Sequence, residues 1–393
     1  MTELPLALKR VLLVLSILYA VGFTASVIFQ LAGSNGLLFA NGTPVGGDFI
    51  NLWSAAKLVL AGNLEPIYRP DDFVAFERTI IDADIGIRLW AYPPQSLLLL
   101  WPFGLVPFHA GLALWSVLGL VVLGLGARRF GFDRVETAII LCSPASFACL
   151  YYGQTGNFAC GLLLLALSMR KGTDTTSILA ATLLTVKPQI GFLLPLLYAV
   201  RGRWAMIFWT GLAVLGFAGL SVLLLGPGTW RDYTGITLPY LEAADRNGTG
   251  PFLLMVPSMF MSMRLVLQDH VLAGNLQLAF AAMVAVFLIW RLVRVRDPVA
   301  QNALLMLGTV LITPYLLNYD LTVLLAGALL VGRLHPDATP IGALVMIAWS
   351  LPAVMMGLNA VGLPIAPLLI LPLLIAAGFP RPRAALPAAL AVT

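Results

Sequence analysis

"ILAATLLTVKPQIGFLLPLLYAV", residues 178–200, is long and apolar enough to read as one membrane crossing. Its flanks argue against that. Lys171 precedes it, and Arg201 and Arg203 follow it. Basic residues collect on the cytoplasmic side of a membrane protein. One crossing would strand one of those groups on the far side. Two short arms, turning at "VKPQ", keep both groups together and lift Lys187 to the opposite face. Pro188 makes a break there plausible, because proline has no amide hydrogen to give a continuing helix.

The rest of the chain has the same character. Of its 393 residues, 60% are hydrophobic and only 10% are charged. Soluble domains carry about 25% charge, so a water-soluble globule is excluded. Continuous apolar runs also exclude a β-barrel, which needs alternating strands of about ten residues. An all-α polytopic membrane protein is left, since helices satisfy their own backbone groups in lipid. Apolar runs predict spans at 11–32, 108–127, 135–151, 154–169, 175–186, 189–200, 204–226, 271–290, 299–313, 319–332, 340–357 and 363–379.

Twelve spans place both termini on one side. Lys9, Arg10, Arg128, Arg129, Arg134, Arg170, Lys171, Arg201, Arg203, Arg291, Arg294, Arg296, Arg333, Arg381 and Arg383 then share that side. They are fifteen of the 23 basic residues, with six of the 18 acids. The bias predicts an N-in, C-in protein. The first run shows no small-residue cleavage site and reads as an uncleaved span. The compact loops fit a bacterial inner membrane. Cys142, Cys149 and Cys160 lie in apolar runs and read as buried thiols without a disulfide framework. No basic stretch carries interleaved aromatics, so nucleic acid is not expected.

Two long loops face outward, at about 34–107 and 226–270. The first holds "FINLWSAAKLVLAG", which fits a helix lying on the membrane surface, and then "DDFVAFERTIIDADIG". Its "LLLLW" run is too short to span. The second holds another surface-helix candidate, "FLLMVPSMFMSMRLVL".

Polar residues gather on that outer face: Asp48, Tyr92, Gln154, Asn157, Lys187, Gln189, Asn247, Asn318, Tyr319 and Asp320. Polar groups at membrane depth are costly and usually line a site. Each has a plainer reading. Asp48 in "VGGDFINLW" (45–53) suits a helix N-cap. Lys187 could snorkel, and "YYGQTGN" could simply be a turn. The functional reading rests on their co-location.

Five motifs run in order: "GGDFINLWSAAKLVLAGNLEPIYRPDDF", "YPPQSLLLLWPFGLVPFHAGLALW", "GQTGNFACGLLLLAL", "LLTVKPQIGFLLPLLYAVRGRW" and "TPYLLNYDLTVLL". Together they resemble glycosyltransferase family 87, of the C-type glycosyltransferase superfamily. The resemblance covers most of 45–330, within a single domain of 1–393. It implies an enzyme that moves a sugar, typically mannose, from a polyprenyl-phosphate sugar to a lipid-linked or glycan acceptor on the outer face. It makes Asp48 the catalytic base and puts Lys187 near the donor phosphate. Tyr92, Gln154, Asn157, Gln189, Asn247, Tyr319 and Asp320 fall in with Lys187 as donor-binding candidates. Some members carry a histidine before the late "YD" pair. Here Tyr315 and Asn318 stand in that stretch.

The chemistry suits these groups. A phosphate-linked sugar already has its leaving group. An inverting transfer then needs one carboxylate to take the acceptor proton, and cation and amide donors for the departing phosphate. A retaining hydrolase would use a close carboxylate pair. His109, His270 and His335 are scattered, so no metal and no other cofactor is assigned. The alternative class is a lipid or glycan transporter. It would be marked by repeat symmetry and midplane charges, where this chain gathers polar residues on one side.

Overall fold

In this computed structural model, residues 3–81, 83, 85–86, 89–168, 173–248 and 250–381 are described. The side chain of Asn247, and Arg170, Lys171 and Arg383 of the basic set, lie outside that description. The described chain is helical, with no strands beyond isolated bridges near Leu38.

All twelve expected apolar runs are helical over their described residues. The main body comprises α1 (Leu6–Ala32), α2 (Phe108–Phe130), α3 (Arg134–Leu141), α4 (Pro144–Tyr151), α5 (Gly156–Leu167), α6 (Thr175–Leu184) and α7 (Leu194–Val200). It continues with α8 (Trp204–Leu225), α9 (His270–Arg294), α10 (Pro298–Ile312), α11 (Thr322–Leu334), α12 (Thr339–Ala360) and α13 (Ala366–Gly378). Five of these, α1, α2, α8, α9 and α12, are long and apolar enough to cross a membrane. The others are shorter apolar helices. Run 135–151 divides into α3 and α4 because Pro144 cannot continue the hydrogen-bond ladder. Ser143 takes an extended conformation and caps the new start, accepting from the Ser146 amide at 3.3 Å.

Packing follows the hydrophobic pattern. All thirteen residues of α11 are buried, as are twelve of the fifteen in α10. A helix that is apolar all round belongs at the centre. By contrast, α1, α8 and α9 turn large apolar side chains outward. Leu215 is 71% exposed, Leu223 82% and Val286 69%. Apolar surface on that scale marks a lipid-facing belt, and the molecule is a membrane protein.

The 178–200 stretch does reverse. Ser177 Oγ donates to the Leu165 carbonyl and the Tyr198 hydroxyl to that of Ala166, each at 3.0 Å. The far ends of α6 and α7 therefore meet the same end of α5. The turn between them sends Lys187 to the other end, where its Nζ lies 3.2 Å from Thr155 Oγ1. A twelve-residue helix is about 18 Å long, and it separates the two.

Basic residues collect where α5 ends. Lys9 pairs with Asp133, Arg129 Nη2 with Asp174 at 2.8 Å, and Arg333 with Glu136. Arg201 bonds Gln301 and Asn302 at 2.9 and 2.8 Å. Asp133 caps α3 in a reciprocal box with Glu136.

The long loop of residues 34–107 folds on itself around the helix Phe49–Leu60. Its partners include Phe73, Trp90, Phe103, Phe108 and Trp115. Eight of its twelve residues are buried, so this helix is the loop's hub. The amphipathic surface layer expected from its sequence is corrected on that point: both of its faces find apolar partners within the chain. The "LLLLW" run forms a single short turn, Leu97–Leu100. In the second loop, Leu238–Asn247 has no buried residue among its described side chains, whereas Met259–Leu267 buries Met261 and Ser262.

Candidate functional site

Asp48 sits at the start of Phe49–Leu60, but its side chain makes no capping bond. Instead the Gly46-Gly47 turn docks on the turn between α4 and α5. The Asp48 amide donates to the Tyr152 carbonyl at 2.9 Å. Gly47 has φ +52, and a Cβ there would lie 2.8 Å from Tyr152 Cα. Only glycine suits both the angle and the contact. The half-buried Asp48 carboxylate then accepts from Gln154 Nε2 at 2.7 Å.

Other elements converge on the same turn. The Tyr92 hydroxyl donates to Gln154 Oε1 at 3.1 Å and lies 2.8 Å from Thr155 Oγ1. Tyr92 is held from behind, because buried Tyr68 donates to its carbonyl at 3.0 Å and Trp90 packs on its ring. Pro93 and Pro94 then fix the corner. Trp115 Nε1 donates to the Gln154 carbonyl at 3.3 Å.

Deeper in, Lys187 Nζ contacts Thr155 Oγ1 and pairs with Asp320 Oδ1 at 2.5 Å. Lys187 is 6% exposed and Asp320 1%. The Tyr319 ring lies under the ammonium at 5.3 Å. Asp320 Oδ2 accepts from the Leu317 amide at 3.3 Å. Gly156 lets these segments meet, since a Cβ there would lie 2.1 Å from the Tyr319 carbonyl oxygen.

Asp48, Tyr92, Gln154, Lys187, Tyr319 and Asp320 are thus brought together. Asn157 points behind the turn, its Nδ2 on the Ser146 carbonyl at 3.3 Å, while its amide donates to Cys149 Sγ. Gln189 lends its carbonyl to Thr313 at 3.4 Å. Asn318 is buried against Pro352. Asn247 ends Leu238–Asn247, its side chain outside the described residues. Thr155 was missed by the sequence reading. It stood inside "YYGQTGN", but a threonine before a helix reads as an ordinary cap.

The arrangement sets an acid at a half-open edge, backed by neutral donors and a buried cation. That suits taking a proton from an alcohol while negative charge develops nearby. The profile of glycosyltransferase family 87 matches residues 90–314. The chain belongs to glycosyltransferase family 87. No protein of curated function and no solved structure matches it. The matched segment carries Tyr92, Gln154, Thr155 and Lys187. Asp48 and the Tyr319-Asp320 pair lie outside it, and the fold joins them to it. Family membership makes this membrane protein a glycosyltransferase.

Proposed function

We propose that this family 87 enzyme moves a hexose, mannose first among candidates, from a polyprenyl-phosphate sugar to a lipid-linked or glycan acceptor. Asp48 acts as general base. The acceptor oxygen attacks the anomeric carbon as the carbon–oxygen bond to phosphate breaks. The bonding pair leaves with the phosphate, and the acceptor proton passes to Asp48. A single displacement inverts the anomeric centre. We place the site on the outer face of a bacterial inner membrane, opposite the basic end, in a twelve-span, N-in, C-in arrangement.

The observation that carries this reading is the Asp48–Gln154 contact. It ties a half-exposed carboxylate outside the matched segment to a polar cluster inside it. Lys187 already spends its charge on Asp320. Direct phosphate binding would break a buried pair, so we give Lys187 a supporting role.

The test is transfer of radiolabelled mannose from polyprenyl-phosphate-mannose to a host lipid extract by detergent-purified protein. Asp48→Asn should slow transfer by about 10²–10⁴-fold, the usual worth of general-base help. Near-full activity in that variant would remove Asp48 from the role. Silence of wild type across a panel of polyprenyl-phosphate sugars would defeat the donor assignment.

A further inference from the structure

Thr155 precedes α5, yet its hydroxyl makes no capping bond to that helix. A threonine at this position ordinarily turns its oxygen onto the first helical amides. Here Cys149 Sγ takes the Asn157 amide at 3.3 Å. The freed Thr155 hydroxyl reaches Tyr92 and Lys187, from segments 63 and 32 residues away.

The chemistry of the two ends dictates the direction of these bonds. An ammonium only donates, and an ionised carboxylate only accepts. Asp48 therefore faces Gln154 Nε2, which leaves Gln154 Oε1 toward Tyr92. Tyr92 has one hydrogen and spends it on that oxygen. Its own oxygen must then accept from Thr155. Thr155 in turn accepts from Lys187. Every donor points the same way, from buried cation to half-exposed anion.

We propose that Thr155 is a positioning residue. Its hydroxyl, held by the Lys187–Asp320 pair, orients a one-way hydrogen-bond chain through Tyr92 and Gln154 that holds the Asp48 carboxylate. Bonds in such a chain polarise one another, by about 10–30% each. A fault at Thr155 is therefore felt at Asp48, three bonds away. The proposal rests on Asp48 as base. The ionisable groups packed around the chain are Tyr92, Tyr152, Tyr319, Cys149, Lys187 and Asp320. Asp320 is the other carboxylate among them, and an Asp48→Asn reference separates its signal.

Thr155→Val keeps the shape and removes the hydroxyl, Thr155→Ser keeps the hydroxyl, and Tyr92→Phe cuts the next link. Transfer kinetics should show kcat about tenfold lower in Thr155→Val and Tyr92→Phe, since small misplacements of a reacting group are costly. KM should hold within about twofold in Thr155→Val, because the Thr155 hydroxyl is spent on Tyr92 and Lys187. Thr155→Ser should run at roughly the wild-type rate. Separately, infrared difference spectra of 13C-aspartate-labelled protein, minus Asp48→Asn, read the Asp48 carboxylate stretch directly. The band should move in Thr155→Val and in Tyr92→Phe, because the amide that holds the carboxylate donates more weakly once the chain is cut. An unmoved band in both variants would overturn the proposal. Equal damage from Thr155→Ser and Thr155→Val would also overturn it, as mere packing. An active Asp48→Asn enzyme would sink the base assignment alone, and the infrared bands would still decide the chain.

Discussion

Two buried ion pairs bracket α11. Asp320, in the turn just before it, pairs with Lys187; Arg333, near its end, pairs with Glu136. All four groups are nearly inaccessible, yet the pairs do different things. Arg333 closes on its partner, with one further bond from Nη2 to the Gly131 carbonyl at 3.2 Å. Its Nε donates to Glu136 Oε1 at 2.9 Å, a second nitrogen takes Oε2, and the Phe132 ring lies 4.9 Å from the guanidinium. The same carboxylate accepts the Asp133 amide at 2.9 Å. A planar fork suits such closure. Lys187 instead spreads its donors, one to Asp320 and one onward to Thr155. The arginine pair ends in a lock. The lysine pair continues outward toward Asp48.

The largest test of that contrast removes one cation at a time. Arg333→Met leaves Glu136 buried and unpaired, which costs about 3–5 kcal/mol. Thermal unfolding in detergent should show that loss, while the folded fraction keeps its specific activity. Lys187→Met should cost a similar amount and also lower specific activity about tenfold, because the outward chain loses its anchor. Full activity in the surviving Lys187→Met protein would erase the difference between the two pairs.

A smaller effect is expected from Gly156→Ala, which forces a methyl group against the Tyr319 carbonyl. Overpacking of this kind costs about 1–3 kcal/mol. It should also lower transfer, since the turn carrying Gln154 and Thr155 must shift. A loss of stability with unaltered transfer would mean that this turn can move without disturbing Asp48.

The smallest effect lies at the basic end. Burial pushes the Asp133 carboxyl up, but the Lys9 bond and the capping amides outweigh it and hold it below the ordinary value. Asp174 is likewise raised by burial and lowered further by Ser177 and Arg129. A depressed folded-state value means these carboxylates stabilise the fold above the unfolded value of about 3.9 and lose that contribution as pH falls through the folded one. The unfolding midpoint should therefore fall a little below about pH 4. In Lys9→Met it should fall less, because the bond that lowers Asp133 is gone; the difference should be small, about 0–1 kcal/mol, since the Asp133 side chain is 44% exposed.

Much of this molecule was legible one residue at a time. The apolar runs are helical because hydrophobic length is a local property. The reversal at Lys187 followed from basic flanks that must share a side. The break at Ser143-Pro144 was equally local, a serine cap before a proline, and was masked by the apolar character on both sides. Asp48, Tyr92, Gln154, Lys187, Tyr319 and Asp320 were singled out because polarity is conspicuous in such a chain. The inward turn of Asn157 was not, since a side chain's direction depends on neighbours far along the chain.

Composition and charge by themselves pointed to a helical membrane protein with most of its basic residues at one end and its polar cluster at the other. Lipid permits few backbone solutions, and the cost of charge in lipid sorts the rest. Only the tertiary structure decided which polar groups meet. Asp48 finds Gln154 across 106 residues and Lys187 finds Asp320 across 133. No local rule encodes such partners, because a hydrogen bond is specified by position within a few tenths of an ångström and by which group has a proton to give.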